Sequence, residues 1–297
     1  MHICGNLCHI DGSAVRVLRI DAEGYDFVDD PLDALRDIRA NGIRADLFTF
    51  VAHPGHPAPK YAFHQETDNF ACLPITSLDE WMTHRLDFRA RNKIRKAAKA
   101  GVTVREVPFD DTLVDGIWRI YNESPVRQGK PFRHYRKTIE EVRSMNATFP
   151  GRTIFIGAFL DGAMIGFAKM VTDRDRTLAG LMQFLSMISH RDKAPANALL
   201  AQCVQSCVEH GIGMLHYARL SYGKKQPDGL AKFKSANGFE QIEVPRYFVP
   251  LTAWGSIALR LQLHREWKDR IPPSITERLR RLRGAWYQRK LPNLSNA

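Results

Sequence analysis

Long apolar runs, a dense set of cysteines and the common nucleotide-binding motifs are all missing from this 297-residue sequence. No stretch approaches the roughly 18 consecutive apolar residues that a membrane-spanning helix needs, and the first twenty residues lack a basic segment followed by an apolar one. These absences argue against a membrane span and a secretory signal peptide, so we expect a cytoplasmic protein. The hydrophobic share of 44% predicts a globular chain with a core.

Five cysteines in a chain of this length do not predict a disulfide framework. Cys4, Cys8 and His9 lie close in sequence, but a fourth ligand at a convincing spacing is lacking, so we expect no metal site. The sequence also has no G-x-G-x-x-G after a strand, no G-x-x-x-x-G-K-[ST], no G-x-S-x-G and no H-E-x-x-H. Dinucleotide-binding proteins, P-loop proteins, α/β-hydrolases and zinc proteases are therefore disfavoured.

Positive charge is plentiful, with a formal net charge of +11. The segment 260–290 holds ten Lys or Arg residues against three Asp or Glu residues, a local charge of +7. Within it, Ile275, Leu279, Leu282 and Trp286 recur at three- and four-residue spacings, which predicts an amphipathic helix with an arginine-rich face. The sequence leaves three partners open for this helix: the protein itself, an anionic membrane surface, or nucleic acid.

Strand and helix patterns divide the chain into three predicted domains. Residues 1–77 contain the strands AVRVLRI and ADLFTFV with a helix from Pro31 to Gly42 between them, which predicts a small α/β unit. A long charged helix from Leu78 to Gly101 opens a second domain over residues 78–250. Residues 251–297 form a basic helical tail.

The predicted order from Val102 onward is β-α-α-β-β-β-α-β-α-β. Two helices, 112–123 and about 135–146, precede the consecutive strands TIFIGAF, MIGFAKMVT and TLAGLMQFLSMIS. Asp161-Gly162, between the first two of these strands, is a strong hairpin signal. An antiparallel meander followed by helical crossovers predicts an α/β fold with a mixed sheet.

This order of elements, with the segments GAFLDGAMIGFAKMV and GLAKFKSANGF, resembles the GNAT acyltransferase superfamily, and within it the FemAB-like aminoacyl and peptidyl transferases. The passage RNKIRKAAKAGVTV also resembles the segment that leads into a GNAT domain in that branch. The resemblance covers about residues 78–250, and the first 75 residues are read as a remnant of the first of two GNAT units. It implies transfer of an acyl or aminoacyl group, from acyl-CoA or aminoacyl-tRNA, to an amine of an anionic small molecule, a sugar or a cell-envelope precursor.

The loop RDKAPA, before a helix predicted over 196–210, is the candidate donor site. The resemblance implies a Q/R-x-x-G-x-G/A pattern here, in which backbone N–H groups and a helix N-terminus hold the pyrophosphate of CoA. Arg191 and Ala196 match, Ala194 replaces the glycine, and Pro195 has no N–H to donate. A loop that only caps the helix, a CoA site, and a site for another anion such as the end of an aminoacyl-tRNA all remain open. The predicted cofactor-binding residues are Arg191, Lys193, Ala194, Ala196 and Asn197.

The resemblance implies that the acyl group lies where the strand TLAGLMQFLSMIS separates from MLHYARL, with a backbone N–H serving the oxyanion. Tyr217 in the second strand and Tyr222 just beyond it are candidates to protonate the leaving group. A half-buried strand aromatic is the alternative for Tyr217. Lys234 matches the lysine of an FK motif that lies near a substrate phosphate or carboxylate in the FemAB-like branch, and simple solvation is its alternative.

The connection YNESPVRQGKPFRHYRK is the candidate acceptor site, because in GNAT enzymes this connection covers the acceptor. Its two prolines and its Arg-Gln-Gly core favour a loop of fixed shape. Glu123 is the candidate general base, and an ion pair with Arg127 four residues later is the alternative. The predicted substrate-binding residues are Asn122, Arg127, Gln128, Lys130, His134, Tyr135 and Lys234.

Two other functions stay open at this point. A non-catalytic protein of GNAT shape would bind a lipid-linked or polysaccharide component at the inner face of the membrane through its tail, which the departures at Ala194 and Pro195 favour. A nucleic-acid-binding protein is weakened because few aromatics accompany the basic tail beyond Trp286 and Tyr287. We expect tRNA only as a donor, and no binding of DNA.

Overall fold

The computed structural model describes residues 1–56, 61–127, 129–220 and 229–265. The strands are β1 (His2–Ile3), β2 (Asn6–Asp11), β3 (Val17–Ile20), β4 (Leu47–Val51), β5 (His64–Pro74), β6 (Thr103–Val107), β7 (Val126–Arg127), β8 (Lys130–Pro131), β9 (Thr153–Leu160), β10 (Ala163–Thr172), β11 (Leu178–Ser186), β12 (Met214–His216) and β13 (Glu240–Pro250). The α-helices are α1 (Pro31–Ala40), α2 (Leu78–Glu80), α3 (Phe88–Lys99), α4 (Asp111–Asn122), α5 (Ile139–Asn146), α6 (Pro195–Glu209), α7 (Gly229–Ala236) and α8 (Ala253–Arg260). Eleven strands form one mixed sheet in the order β1-β2-β3-β4-β13-β5-β12-β11-β10-β9-β6, and β7 pairs with β8.

The predicted meander is confirmed. Strand β10 pairs antiparallel with β9 and with β11, and β11 pairs parallel with β12 across helix α6. Asp161 and Gly162 have φ angles of 50° and 79°, as the predicted two-residue hairpin turn requires. The α/β fold with a mixed sheet is therefore the one that the sequence predicts.

Helices cover both faces of the meander. Helix α6 buries apolar residues and two cysteines, Cys203 and Cys207, against one face. Helix α4 carries Leu113, Ile117 and Ile120 at three- and four-residue spacings, and these side chains pack with α5 on the opposite face. Helices α6 and α4 thus lie on opposite faces of the meander.

Strand β13 lies between β4 and β5 and joins the first part of the chain to the rest of the sheet. It pairs antiparallel with β5 from Glu240↔Cys72 to Phe248↔His64, and with β4 from Arg246↔Val51 to Pro250↔Leu47. One sheet therefore crosses the domain boundary predicted at residue 77. The division into three domains stays a prediction.

The helix predicted from Leu78 to Gly101 is wrong as a single element. Helix α2 passes into a π-turn at Trp81–Arg85, and the Asp87 carboxylate then caps a new helix, α3. The Trp81 indole N–H donates to the carbonyl of Asn237 at 2.9 Å, a contact across 156 positions in sequence. A distant tertiary contact holds this bend, and the local charge pattern does not reveal it.

Other differences lie at element boundaries and in polar strands. The helix predicted from about Tyr135 begins at Ile139, because Thr138 and Glu141 form a capping box. Strands β1, β2, β5, β7 and β8 were not predicted, whereas helix α8 lies within the segment 251–297 that was predicted to be helical. The tail helix around Ile275–Trp286 lies outside the described residues. In the described ranges, no helix combines the length and apolarity that a membrane crossing requires.

Candidate active site

Strands β11 and β12 stay paired for only three residues before they separate. Their parallel register ends at Gly180↔His216, after which β11 continues beside β10 to Ser186. The residues after His216 follow β5 instead, because the Tyr217 N–H donates to the Ala71 carbonyl at 2.8 Å. We call the space between residues 181–186 and residues 217–220 the β11–β12 opening.

A β-bulge lies at the start of this opening. In the pairing of β10 with β11, Lys169 is opposite Gln183 and Met170 is opposite Leu181, so Met182 is an extra residue on β11. A bulge leaves its extra residue outside the regular ladder of hydrogen bonds. Met182 is therefore the candidate for the backbone donor that the resemblance implies.

Gly180 and His216 form the closed end of the opening. A Cβ on Gly180 would lie 2.1 Å from His216 Nε2 and 2.5 Å from Tyr25 Cε1, so a larger residue does not fit beside the imidazole. His216 is 2% exposed, and burial lowers its pKa to about 4, which keeps the ring neutral at neutral pH. The sequence carries no signal for this pair, because its members meet only across two strands.

Tyr217 and Lys234 meet at one side of the opening. Lys234 Nζ lies 4.6 Å from the centroid of the Tyr217 ring and donates to the Arg219 carbonyl at 2.7 Å. Lys234 is 1% exposed, so the solvated alternative for this side chain is wrong. The Tyr217 ring packs edge-on against the ring of Phe184 in β11, with 5.6 Å between the ring centroids. This contact places the Tyr217 ring at the opening. Tyr222 lies outside the described residues, and the catalytic roles of both tyrosines stay predictions.

Glu123 and Arg127 hold the loop that follows β11. The Glu123 carboxylate accepts from the N–H of Ile188 at 2.7 Å and from the N–H and hydroxyl of Ser189 at 2.9 and 2.7 Å. Arg127 pairs with Glu123 at 3.1 Å and donates to the Ser186 carbonyl at 2.8 Å. These contacts favour the ion-pair alternative over a general base, and they join the acceptor connection to the donor loop.

Glu123→Gln should lower the free energy of unfolding at pH 7 and make that free energy less dependent on pH in the acidic range. Burial alone would raise the pKa of this carboxyl, but the N–H groups of Ser189 and Ile188 outweigh burial and lower the pKa. A lowered folded-state pKa gives stability that is present above the unfolded value of 4.5 and is lost as the pH falls through the folded pKa. We expect a loss of about 1–3 kcal/mol at pH 7, from weakened charge-assisted hydrogen bonds, that shrinks in acid.

Urea unfolding at a series of pH values measures this effect. Glu243→Gln, at an exposed carboxylate of β13, is the matched control and should leave the free energy of unfolding nearly unchanged. Equal losses for Glu123→Gln at pH 7 and at pH 3 would contradict the assigned pKa direction.

Two other acceptor-site candidates are structural anchors, the half-buried Asn122 and the buried His134. Asn122 accepts from the Arg136 N–H at 2.8 Å. His134 is 4% exposed and stacks on Tyr121 at 4.6 Å, and burial lowers its pKa to about 4. Their substrate-binding role stays a prediction that these contacts do not favour. Of the remaining candidates, Lys130 is exposed, Tyr135 lies under the guanidinium of Arg136, and Gln128 is outside the described residues.

The donor loop uses most of its own N–H groups in a tight turn. The N–H groups of Arg191, Lys193, Ala194 and Asn197 each donate to the carbonyl three residues earlier, at 3.0–3.2 Å. Ala194 has a left-handed backbone with φ of 54°, and Pro195 begins α6. A pyrophosphate site needs unpaired N–H groups, so this turn offers less than the GNAT pattern implies. The cofactor role of these residues and Ala196 stays a prediction.

A basic face that the sequence analysis did not single out lies beside the donor loop. Helix α3 contains six Lys or Arg residues and no acid. Arg89, Lys93 and Lys96 are exposed and recur at four- and three-residue spacings, so they share one face of the helix. Helix α3 contacts the turn at Arg191–Lys193, and Lys193 and then Lys96 contribute to the lowered pKa of Asp192. We call Arg89, Lys93, Lys96, Arg191 and Lys193 the basic surface.

No protein-family model and no curated protein sequence matches this chain. Among solved structures, it is similar to the C-terminal domain of a putative lysylphosphatidylglycerol synthetase from Agrobacterium fabrum, at 14% identity and a TM-score of 0.56, with 88% of this chain and 86% of that chain covered. L-PGS from Bacillus licheniformis is 13% identical, with 86% and 84% of the chains covered and a TM-score of 0.54. FemX is 15% identical, with 74% and 69% covered and a TM-score of 0.47. The chain therefore shares its fold with the Agrobacterium domain and with L-PGS.

Proposed function

We propose that this protein transfers an acyl or aminoacyl group from an activated donor to an amine. The β11–β12 opening, with its bulge at Met182, is the observation that carries the proposal. Two strands that separate in mid-sheet leave a slot for the reactive end of an extended donor. A bulge at the mouth of that slot supplies a backbone N–H for the oxyanion of a tetrahedral intermediate.

Tyr217 and Lys234 supply the remaining chemistry in this proposal. The amine attacks the donor carbonyl, and the bond to the leaving oxygen or sulfur breaks as that atom takes a proton from Tyr217. The proton that the amine loses then returns to the Tyr217 phenolate. Lys234 Nζ, 4.6 Å from the ring centroid, stabilises the phenolate electrostatically.

The charges beside the donor loop favour aminoacyl-tRNA as the donor. Helix α3 spans about 18 Å and carries three residues of the basic surface. A surface of this length suits the phosphates of a polynucleotide better than it suits a single diphosphate. The N–H groups that would hold the diphosphate of CoA are mostly used within the donor loop. Acyl-CoA is the alternative donor, and the next experiment separates the two.

Replacing Lys93 and Lys96 together by alanine should weaken tRNA binding and reduce its salt dependence. Each lost phosphate contact lowers the slope of log K against log salt by about 1, so the double variant should lose about 2. Fluorescence anisotropy with labelled tRNA over a salt series measures the slope. Arg36→Ala with Arg39→Ala removes two exposed charges from α1 and serves as the matched control. An unchanged slope, together with binding of CoA measured by calorimetry, would contradict tRNA as the donor and support acyl-CoA.

The acceptor that we propose is an amine of an anionic small molecule, a sugar or a cell-envelope precursor. Exposed Lys130 on the acceptor connection provides a cation for a carboxylate or phosphate. One neighbour is named for lysylphosphatidylglycerol, a product that carries a lysyl group on an anionic lipid. We also propose that the basic tail brings the protein to an anionic membrane surface.

A transfer assay tests the whole proposal. Radiolabelled aminoacyl-tRNA is incubated with the protein and with amine-bearing envelope precursors, and labelled product is separated by thin-layer chromatography. Two observations favour the non-catalytic alternative: Glu123 holds a loop through its hydrogen bonds, and most N–H groups of the donor loop are used within the loop itself. Binding of lipid or precursor without transfer from either donor class would establish that alternative.

A further inference from the structure

Three side chains of types that commonly bind metal ions lie close together at the beginning of β5. His64 and Glu66 are two residues apart on this strand and therefore share one face of it. His264 follows helix α8 and reaches the same place from 198 positions away in sequence. Each residue offers one ligand atom, and these atoms lie within 4.8 Å of one another.

The distances suit a small tetrahedral ion. His264 Nε2 lies 2.9 Å and His64 Nε2 lies 3.6 Å from Glu66 Oε1. Ligands bonded to one zinc ion at about 2.0–2.1 Å lie about 3.3 Å apart. The two observed separations bracket that value, so small side-chain shifts would admit an ion. Two imidazoles and one carboxylate form a zinc donor set that leaves a fourth position open.

His264 is well placed to be a ligand. Its side chain is 1% exposed and packs against Phe248 with 4.6 Å between ring centroids. Its Nδ1 makes no hydrogen bond within the described part of the chain. Because no partner of Nδ1 fixes the tautomer, Nε2 can present either an N–H to Glu66 or a lone pair to a cation.

Arg265 competes with such an ion for Glu66. Arg265 Nε donates to the same carboxylate oxygen at 3.0 Å, but this side chain is 41% exposed and its guanidinium also contacts Gln262. An exposed ion pair of this kind contributes little to stability. Metal binding would therefore release Arg265 at small cost.

We propose that His64, Glu66 and His264 bind one divalent ion of the zinc type. Glu66 and His264 line a polar cleft of about 1220 Å³, from which water or a further group supplies the fourth ligand. The ion ties residue 264, beyond α8, to strand β5. This site is independent of the proposed transfer reaction.

Metal titration of the full-length, untagged protein tests the proposal. After removal of metal by a chelator, calorimetry with Zn²⁺ and visible absorption with Co²⁺ should show one site per chain, and Zn²⁺ should raise the melting temperature. His64→Ala changes the exposed ligand and should weaken Zn²⁺ binding more than about tenfold. Arg265→Gln removes the competing cation and should tighten binding. His84→Ala, at an exposed histidine outside the cluster, is the matched control.

Three results would overturn this site. Equal Zn²⁺ affinity in wild type and His64→Ala would show that the ion binds elsewhere. Absence of tetrahedral Co²⁺ absorption at stoichiometric metal would show that the cluster is a hydrogen-bonded network only. Weaker Zn²⁺ binding in Arg265→Gln would contradict the competition for Glu66.

Discussion

Arg246→Met is expected to lower the free energy of unfolding by about 3–5 kcal/mol, because it leaves two carboxylates in a largely buried site without their shared cation. Arg246 is 8% exposed and donates to Glu23 at 2.7 and 2.8 Å and to Asp68 at 2.9 Å. Burial opposes the charged form, but Glu23 and Asp68 outweigh it and raise the pKa of Arg246 above its usual value. Methionine keeps the apolar stem and removes only the charge and its hydrogen bonds.

Urea unfolding of matched variants separates this network from its surroundings. Arg219 also contacts Asp68, at 2.5 Å, but is 43% exposed, so Arg219→Met should cost less than about 1 kcal/mol. Adding Glu23→Gln and Asp68→Asn to Arg246→Met should recover part of the loss, since the penalty comes from the carboxylates left behind. Equal losses for Arg246→Met and Arg219→Met would show that burial does not set the strength of this network.

If Tyr217 is the acid of the proposed transfer, Tyr217→Phe should lower the rate constant of that transfer by about 10²–10⁴-fold, the usual contribution of a positioned acid. Phenylalanine keeps the ring that packs against Phe184 and lies beneath Lys234, so donor binding should not change. The measurement is a single-turnover rate with bound donor, with affinity determined separately. A lowered rate at constant affinity identifies loss of the proton rather than loss of the site.

Tyr61→Phe is the matched control for this variant. Tyr61 lies among the aromatic side chains near β4 and β13, distant from the β11–β12 opening in the sheet order. It should transfer at the wild-type rate. A wild-type rate for Tyr217→Phe as well would leave Tyr217 as a half-buried strand aromatic, which is the alternative that the sequence left open.

The meander of β9, β10 and β11 could be predicted because its signals are local. Apolar strand segments and an Asp161-Gly162 turn lie within a few residues of one another, and the parallel β12 follows after one helix. Strand β5 was not predicted because its first half is polar and lines the cleft. The break before α3 depends on Asn237, which no window around Trp81 contains.

The site residues show a sharper limit. Glu123 accepts from backbone groups 65 and 66 positions away, so its use in holding a loop cannot be read from the helix that carries it. The sequence predicted a substrate-binding role for Lys234, but the burial of this side chain over Tyr217 depends on where α7 packs. Residue type and spacing thus singled out the segments that carry Glu123, Tyr217 and Lys234. They did not predict the contacts that each of these side chains makes.

The position of β13 also bears on how the chain folds during synthesis. Strands β4 and β5 are synthesised long before residue 250, but one edge of each strand has no partner until β13 has been synthesised. Uncovered strand edges pair readily with other chains, and contacts between distant residues form slowly. The nascent N-terminal part therefore leaves the ribosome with an open gap in its sheet, and chaperones that shield strand edges should matter most before β13 has emerged.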